Sequence, residues 1–329
     1  MSNTQLPKLI IMVGLPGSGK STRAKEIANS IESCMILSSD SIRKELSGSE
    51  QDQTQNDMVF KLLYQRMNEL LSKGESIIID ATNTTMKSRR RILSECKFPC
   101  YKEVHLVATP IEECISRDNF RERSVGKEVI KKFEGSFQCP QYFEGFDSIV
   151  CQEWETSDLW PIANFLVEDL TTKMNNFHQY NFHHLYTVGE HCIRQSKLIS
   201  DYCNSHKQFK KWQKKAEVAG RFHDVGKLFT QHFDENGTAH YYNHDSVGTY
   251  FLASHPEIFC CVWGGELMKK DLLDMLFLVN FHMRAHNDFA SPKAQKKYRV
   301  LFGDEKFDLL MAFGMCDRIA TGTSSEVLK

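Results

Sequence analysis

The stretch KLIIMVGLPGSGKS, residues 8–21, decides how the first half of the chain folds. Its opening, KLIIMVG, is apolar on consecutive positions rather than alternate ones. That pattern suits a strand buried on both faces. GLPGSGKS, residues 14–21, follows without a break and fits GxxxxGK[ST]. Gly14, Pro16, Gly17, Ser18 and Gly19 form a loop whose backbone N–H groups can turn toward phosphate oxygens. Lys20 can reach the outer phosphates and Ser21 can hold Mg²⁺. The helical pattern that starts at Thr22 adds partial positive charge at its N-terminus.

Outward from this stretch the same grammar repeats. SCMILSS (33–39), ESIIIDA (75–81), KEVHLVA (102–108) and DSIVCQ (147–152) are further strand-like runs. Between them lie helical patterns such as DMVFKLLYQRMNELLSK (57–73). Strands alternating with helices predict an α/β domain, a parallel sheet with helices on both faces, over residues 1–152. Beyond about residue 175 the strand signal fades. Segments near 186–203, 212–223, 245–255, 270–284 and 305–320 carry apolar residues at helical spacing. FDENGTAHYY (233–242) interrupts them, and Asn236-Gly237 predicts a short β-hairpin. An all-α domain is therefore expected over 178–329, joined by a packed, partly helical connector over 153–177.

The totals narrow the function classes. With 41 basic and 42 acidic side chains, bulk electrostatic attraction to nucleic acid is excluded, and any such binding must rest on local patches. No apolar run reaches the roughly 18–20 residues of a membrane span. The start, MSNTQLPK, lacks the pattern of a signal peptide. The 11 cysteines are odd in number and include no CxxC pair, which fits reduced thiols. A cytoplasmic protein is expected.

Three polar clusters follow the phosphate loop. In SSDSIRKEL (38–46), Asp40 would lie at the C-terminal edge of the sheet, where such folds bind ligands. It could take a proton from an attacking hydroxyl, with Arg43 one turn on to grip a phosphate; Ser39 or Asp40 could equally cap a helix. In DATNTT (80–85), Asp80, Thr82 and Asn83 would reach the same edge, Asn83 in a turn or a catalytic role. In CISRDNFRERSVGKEVI (114–130), Arg117 and Arg121 are one helical turn apart, and Arg123 follows. They are placed either on a solvated face or to close over developing phosphoryl charge. Together these motifs resemble, over most of residues 8–150, the kinase domain of the polynucleotide 5′-kinase family. The resemblance implies ATP–Mg²⁺ on Lys20 and Ser21, and Asp40 as general base on a 5′-hydroxyl. It also implies Arg43 on the adjacent backbone phosphate and Arg117 with Arg121 (or Arg123) in a lid. No DxDxT phosphatase motif is present.

The helical half holds a second series. GRFHDVGKLF (220–229) sets His223 beside Asp224 in an apolar run. HHLYTVGEH supplies His184 and His191, NHDSVG supplies His244 and Asp245, VNFHMRAHN supplies His282, and FGMCDRIA supplies Asp317. Imidazoles and carboxylates in apolar surroundings each need a partner, and a shared metal satisfies them together. Such donors suit Mn, Fe, Co, Ni or Zn. The order resembles the HD phosphohydrolase superfamily over about residues 182–320. The resemblance implies a primary metal site of His191, His223, Asp224 and Asp317. It implies a second ion on His244 and His282 bridged by Asp224, Lys227 on substrate phosphate, and metal-dependent hydrolysis of a phosphomonoester or phosphodiester.

Fusions of these two modules resemble end-healing enzymes. The expected function is ATP-dependent 5′-phosphorylation of RNA or DNA termini with removal of a 2′-, 3′- or 2′,3′-cyclic phosphate, ahead of a nucleic-acid ligase. KSRRR (87–91) and KQFKKWQKK (207–215), the latter with Phe209 and Trp212, would supply phosphate and stacking contacts or solvated helix faces. A small-molecule kinase joined to a nucleotide phosphohydrolase is the alternative. A nucleotide-gated binding protein is a third reading, which the intact Lys20, Ser21, Asp40, His223 and Asp224 oppose.

Overall fold

The computed structural model describes residues 6–49, 54–122, 124–151, 154, 160–182, 184–289 and 291–323. Arg123, residues 1–5, residue 152 and positions 153 and 155–159 of the expected connector lie outside the described residues. The chain divides into two compact units. One comprises residues 1–133 and 140–155, the other 134–139 and 156–329.

In the first unit five parallel strands form one sheet: β1 (Lys8–Val13), β2 (Cys34–Ser38), β3 (Ser76–Asp80), β4 (Tyr101–Leu106) and β5 (Ser148–Val150). Their order is β2-β3-β1-β4-β5. β1 is central, and Leu9 through Val13 are fully buried, as a strand covered on both faces requires. The helices are α1 (Lys20–Ser30), α2 (Ser39–Ser47), α3 (Asn56–Ser72), α4 (Met86–Glu95), α5 (Ile111–Asn119) and α6 (Lys127–Glu134). A parallel five-stranded sheet flanked by helices fits a P-loop kinase domain. The phosphate loop leaves the C-terminal end of β1, at the edge where the loops after β2, β3 and β4 also emerge.

Two sequence expectations are corrected here. The cap of α2 is Ser38, whose hydroxyl accepts from the Ser41 N–H at 3.4 Å, so neither Ser39 nor Asp40 caps it. Arg89, in the basic run KSRRR, is fully buried rather than facing solvent or phosphate. It donates to Glu144 from Nε (2.9 Å) and Nη2 (2.7 Å), and to the carbonyls of Asn83 (3.0 Å) and Thr84 (3.2 Å). This clamp fixes the turn after β3. There Asn83, in a left-handed conformation at φ 44°, donates its amide to the Met12 carbonyl of β1.

The second unit is helical: α7 (Trp160–Asn175), α8 (Val188–Ser205), α9 (Gln213–Phe222), α10 (Lys227–Thr230), α11 (His244–Ser254), α12 (Glu257–Trp263), α13 (Lys269–Asn287), α14 (Pro292–Phe302) and α15 (Asp304–Ala320). β6 (His232–Phe233) and β7 (Ala239–His240) make the hairpin, with Asp234 accepting from the N–H groups of Asn236 and Thr238 at 2.9 Å each. α13 is buried nearly all round, from Leu272 to His282, so it is the axis of the core rather than a surface helix. Asn280 on α13 binds segment 134–139, accepting from the Cys139 N–H at 3.0 Å and donating to the Phe137 carbonyl at 3.1 Å. In KQFKKWQKK, Phe209 and Trp212 are buried at 3% and 4% exposure, and Lys215 and Lys211 pair with Asp274 (2.8 Å) and Glu305 (2.8 Å). Phe209 and Trp212 thus pack the unit's interior, while Lys207, Lys210, Lys211 and Lys214 stay exposed on a solvated face. Among the described residues no helix is long and apolar enough to cross a membrane.

Replacing Arg89 by Leu strands the Glu144 carboxylate and two carbonyls away from water. The substitution is expected to destabilise the first unit by ~3–5 kcal/mol, read as a lowered urea midpoint.

Candidate active sites

The phosphate loop is held open by its glycines. Gly17 has φ 84°, and a Cβ there would come within 2.3 Å of the Cys114 carbonyl. Its neighbour Ser18 is held from above: its carbonyl accepts from Thr109 Oγ1 at 2.8 Å and from Arg117 Nη1 at 3.3 Å. Gly14 is fixed by its N–H to the Thr82 carbonyl at 3.1 Å. Lys20, the first residue of α1, turns back to donate to the Leu15 carbonyl at 2.7 Å. Burial lowers its pKa to about 8, against the opposing pull of Asp80 and, more weakly, Asp40. Ser21 and Thr22 stand exposed on the first turn of α1.

Asp40 lies in the first turn of α2 with its side chain 67% exposed, while Arg43 is buried behind it. Arg43 donates to Asp40 Oδ1 at 2.6 Å and to Asn56 Oδ1 at 3.1 Å. The guanidinium thus holds the carboxylate in place. Arg117 also pairs with Glu113 on α5. Arg117 and Arg121 border a cavity of about 440 Å³ whose wall includes Gly17, Gly19, Thr22 and Val150. Residues from the glycine loop, α1, β4, β5 and α5 therefore enclose one volume of mononucleotide size.

In the helical unit the predicted metal residues come together. His191 sits on the first turn of α8, which begins with a capping box of Thr187 and Glu190. His223 caps the C-terminus of α9, and Asp224 follows it in the turn before α10. His244 opens α11, His282 lies on α13 and Asp317 on α15. α11 reaches this close because residue 226 is glycine: a Cβ there would lie 2.0 Å from the His244 carbonyl oxygen. Asp224 Oδ2 lies 3.3 Å from His191 Nε2 and 3.5 Å from His223 Nε2. Its Oδ1 lies 3.1 Å from His244 Nε2 and 3.6 Å from His282 Nε2. Asp317 Oδ1 completes the first group, 2.8 Å from His191 and 3.1 Å from His223.

The tautomers test whether these residues fit a metal. Nδ1 of His223, His244 and His282 faces the carbonyls of Gly220 (2.8 Å), Tyr241 (2.8 Å) and Val279 (2.7 Å). A carbonyl only accepts, so each Nδ1 carries the proton and each Nε2 presents a lone pair inward. Yet His191 and His223 bring their Nε2 atoms to 3.3 Å, and His244 and His282 theirs to 3.2 Å. Facing nitrogens at that range need a cation or an added proton between them. Four imidazoles with two carboxylates, one of which faces both groups, fit one or two borderline divalent ions.

The electrostatics follow from burial. Desolvation alone would raise the Asp224 pKa, but Lys227, then His223 and the hydrogen-bonding imidazoles, hold it well below the usual range. Asp317 is likewise held low by His223 and His191. Lys227 Nζ binds Asp224 Oδ2 at 2.7 Å and Gln179 Oε1 at 2.8 Å. His184 lies 3.3 Å from it, and burial with that neighbouring ammonium depresses the His184 pKa to about 3.

Two residues of this site escaped the sequence reading. His286, one turn beyond His282, bonds Asp317 Oδ2 at 2.7 Å, and its i+4 spacing was the available signal. Gln179 carried no signal at all. Asp245, adjacent to His244, is not among the clustered metal-type groups.

A protein-family model described as an AAA domain matches residues 9–140. No curated protein matches the chain. Among solved structures, the chain is similar to a chain of the Pnkp1/Rnl/Hen1 RNA repair complex, at 28% identity and TM-score 0.36, covering 40% of this chain and 44% of that one. A second structure of the Pnkp1/Rnl/Hen1 complex gives 28% identity and TM-score 0.33, covering 36% and 42%. A candidate kinase from Chloroflexus aurantiacus gives 18% identity and TM-score 0.36, covering 51% of this chain and 98% of that one. The chain thus spans less than half the length of the two repair-complex chains.

Two measurements test these sites. Because Lys20 is partly neutral near pH 8 in the free protein and phosphate favours its charged form, ATP binding is expected to take up protons. Calorimetry in buffers of different ionisation enthalpy should show uptake rising from about pH 7 to about pH 8.5, and none if Lys20 stays charged throughout. In the helical unit, Mn²⁺ or Zn²⁺ added to metal-stripped protein should raise its melting temperature by binding only the folded form. Asp224→Ala should abolish that rise.

Proposed function

We propose that this chain is a bifunctional nucleic-acid end-healing enzyme, an ATP-dependent 5′-hydroxyl kinase joined to an HD-type phosphohydrolase. The observation that carries the reading is the presence in one chain of two different phosphate chemistries. One is a glycine cradle with an exposed acid at the sheet edge; the other is a buried imidazole–carboxylate cluster.

In the kinase half, the backbone N–H groups of the loop and Lys20 hold the donor's phosphates. Lys20 exchanges the Leu15 carbonyl for phosphate oxygen, at little cost because one acceptor replaces another. Asp40, steadied by Arg43, accepts the proton of the attacking hydroxyl. Arg117 and Arg121 offset charge on the transferring group. Mg²⁺ held through Ser21 would shield the phosphates.

In the hydrolase half, His191, His223, Asp224 and Asp317 would hold one ion, and His244 and His282, with Asp224, a second. Such ions, when bound, supply hydroxide at neutral pH and stabilise phosphoryl charge. Lys227 orients a phosphate oxygen, and His286 keeps Asp317 aligned. Breakage of RNA by internal attack leaves a 5′-hydroxyl and a 2′,3′-cyclic phosphate. The two activities convert such ends into those a ligase consumes.

An oligonucleotide bearing a 5′-hydroxyl and a 3′-phosphate, given ATP and a divalent-cation panel, should gain the first phosphate and lose the second. Asp40→Asn should lower transfer by roughly 10²–10⁴-fold with ATP binding kept. Asp224→Ala should stop only the metal-dependent release. Phosphorylation of free nucleosides, with none of the oligonucleotide, would overturn the reading.

A further inference from the structure

β4 breaks a rule that its neighbours obey. It lies between β1 and β5, where a parallel strand is expected to be apolar on both faces. Val104 and Leu106 conform, at 0% and 2% exposure. Glu103 and His105, on the opposite face, are also buried, at 8% and 7%. A buried acid and imidazole in a sheet interior cost stability unless they have work to do, and such violations concentrate at functional sites.

Their arrangement is specific. His105 Nε2 is bonded to Glu103 Oε1, and Lys8 Nζ takes Glu103 Oε2 at 3.3 Å. The bond from His105, together with Lys8, keeps the Glu103 carboxyl ionised by lowering its pKa. An ionised carboxylate only accepts, so Nε2 carries the ring's proton. In the neutral ring Nδ1 is then an acceptor, and no hydrogen bond to it is present among the described residues. The ring forms part of the wall of the 440 Å³ cavity. Gly17 and Gly19 of the phosphate loop and Thr22 of α1 line the same cavity, together with Val107 and Val150.

We propose that His105 reads the base of the phosphate donor, accepting a hydrogen bond at Nδ1 from the exocyclic amine of adenine, with Glu103 as the positioning residue that fixes the ring's tautomer. The proposal rests on the ATP-binding reading of this unit and adds to it the residue that selects the base. Guanine presents a carbonyl oxygen at the corresponding position, so two acceptors would face each other.

Equilibrium titrations of the full chain with ATP, GTP and inorganic tripolyphosphate test this. Wild type should bind ATP at least about 10-fold more tightly than GTP, the worth of one good hydrogen bond against an unmatched acceptor. In His105→Ala the two affinities should come within about 2-fold of each other. Glu103→Gln guards against loss of fold in the first variant: its amide can donate to Nε2 and move the proton to Nδ1, so the preference should fall or invert. Binding of tripolyphosphate with equal ATP and GTP affinities in wild type would overturn the base-reading role alone. So would an unchanged ratio in His105→Ala. Failure to bind any of the three would remove the nucleotide reading and this inference with it.

Discussion

A carboxylate sealed from water must find its counter-charge inside the protein. Beside Asp224 stand the Lys227 ammonium and the inward-turned rings of His191, His223, His244 and His282, all within 3.6 Å of one of its oxygens. Those partners belong to α8, α9, α10, α11 and α13, and Asp317 of α15 joins through the shared histidines. Helices packed only by apolar contact can slide or rotate by small steps at little cost. Here each helix also carries a polar atom that must meet one point, so its rotation and depth are set. The close approach of His244 over Gly226 belongs to the same constraint, since any side chain at 226 would push α11 away from Asp224.

The first unit answers the corresponding problem differently. Its anionic guest is expected to come from outside, so the polar groups line a cavity instead of saturating one another. Lys20 rests on a carbonyl, Arg117 on another, and Asp40 is held by a single buried guanidinium. These are exchangeable contacts around an open volume. The buried ion pair of Arg89 and Glu144, by contrast, has no route to solvent and serves to hold the turn after β3 against β1.

What the sequence made legible follows from how local each signal is. The glycine loop is contiguous, and the strands around it are marked by unbroken apolar runs, so the parallel sheet could be read directly. The imidazole series was readable as a set because each member sits in an apolar helix, where a titratable group is conspicuous. The basic runs misled for a physical reason. Arg89 and Lys215 look like surface charge, but their acidic partners, Glu144 and Asp274, are 55 and 59 residues away in sequence. Trp212 and Phe209 read as exposed because lysines surround them, and those lysines cover the core with their stems. Gln179 is polar, isolated and unpatterned, and only the folded chain reveals that it shares Lys227 with Asp224. Glu103 and His105 were hidden inside a run that read only as a strand.

The short segment 134–139, bound to Asn280 of the helical unit, has a topological consequence. The polypeptide passes between the two units at 133/134, at 139/140 and again at 155/156. A single cut at any of these crossings therefore leaves at least one of the two fragments carrying residues of both units. A gene fragment ending after β5 would carry Phe137 and Cys139 without the helix that buries them, and one beginning at α7 would lack six residues of its own interior. The halves are better regarded as interwoven exons of one folding problem than as beads on a string, and recombination that swaps one for a homologue must exchange the small insert as well.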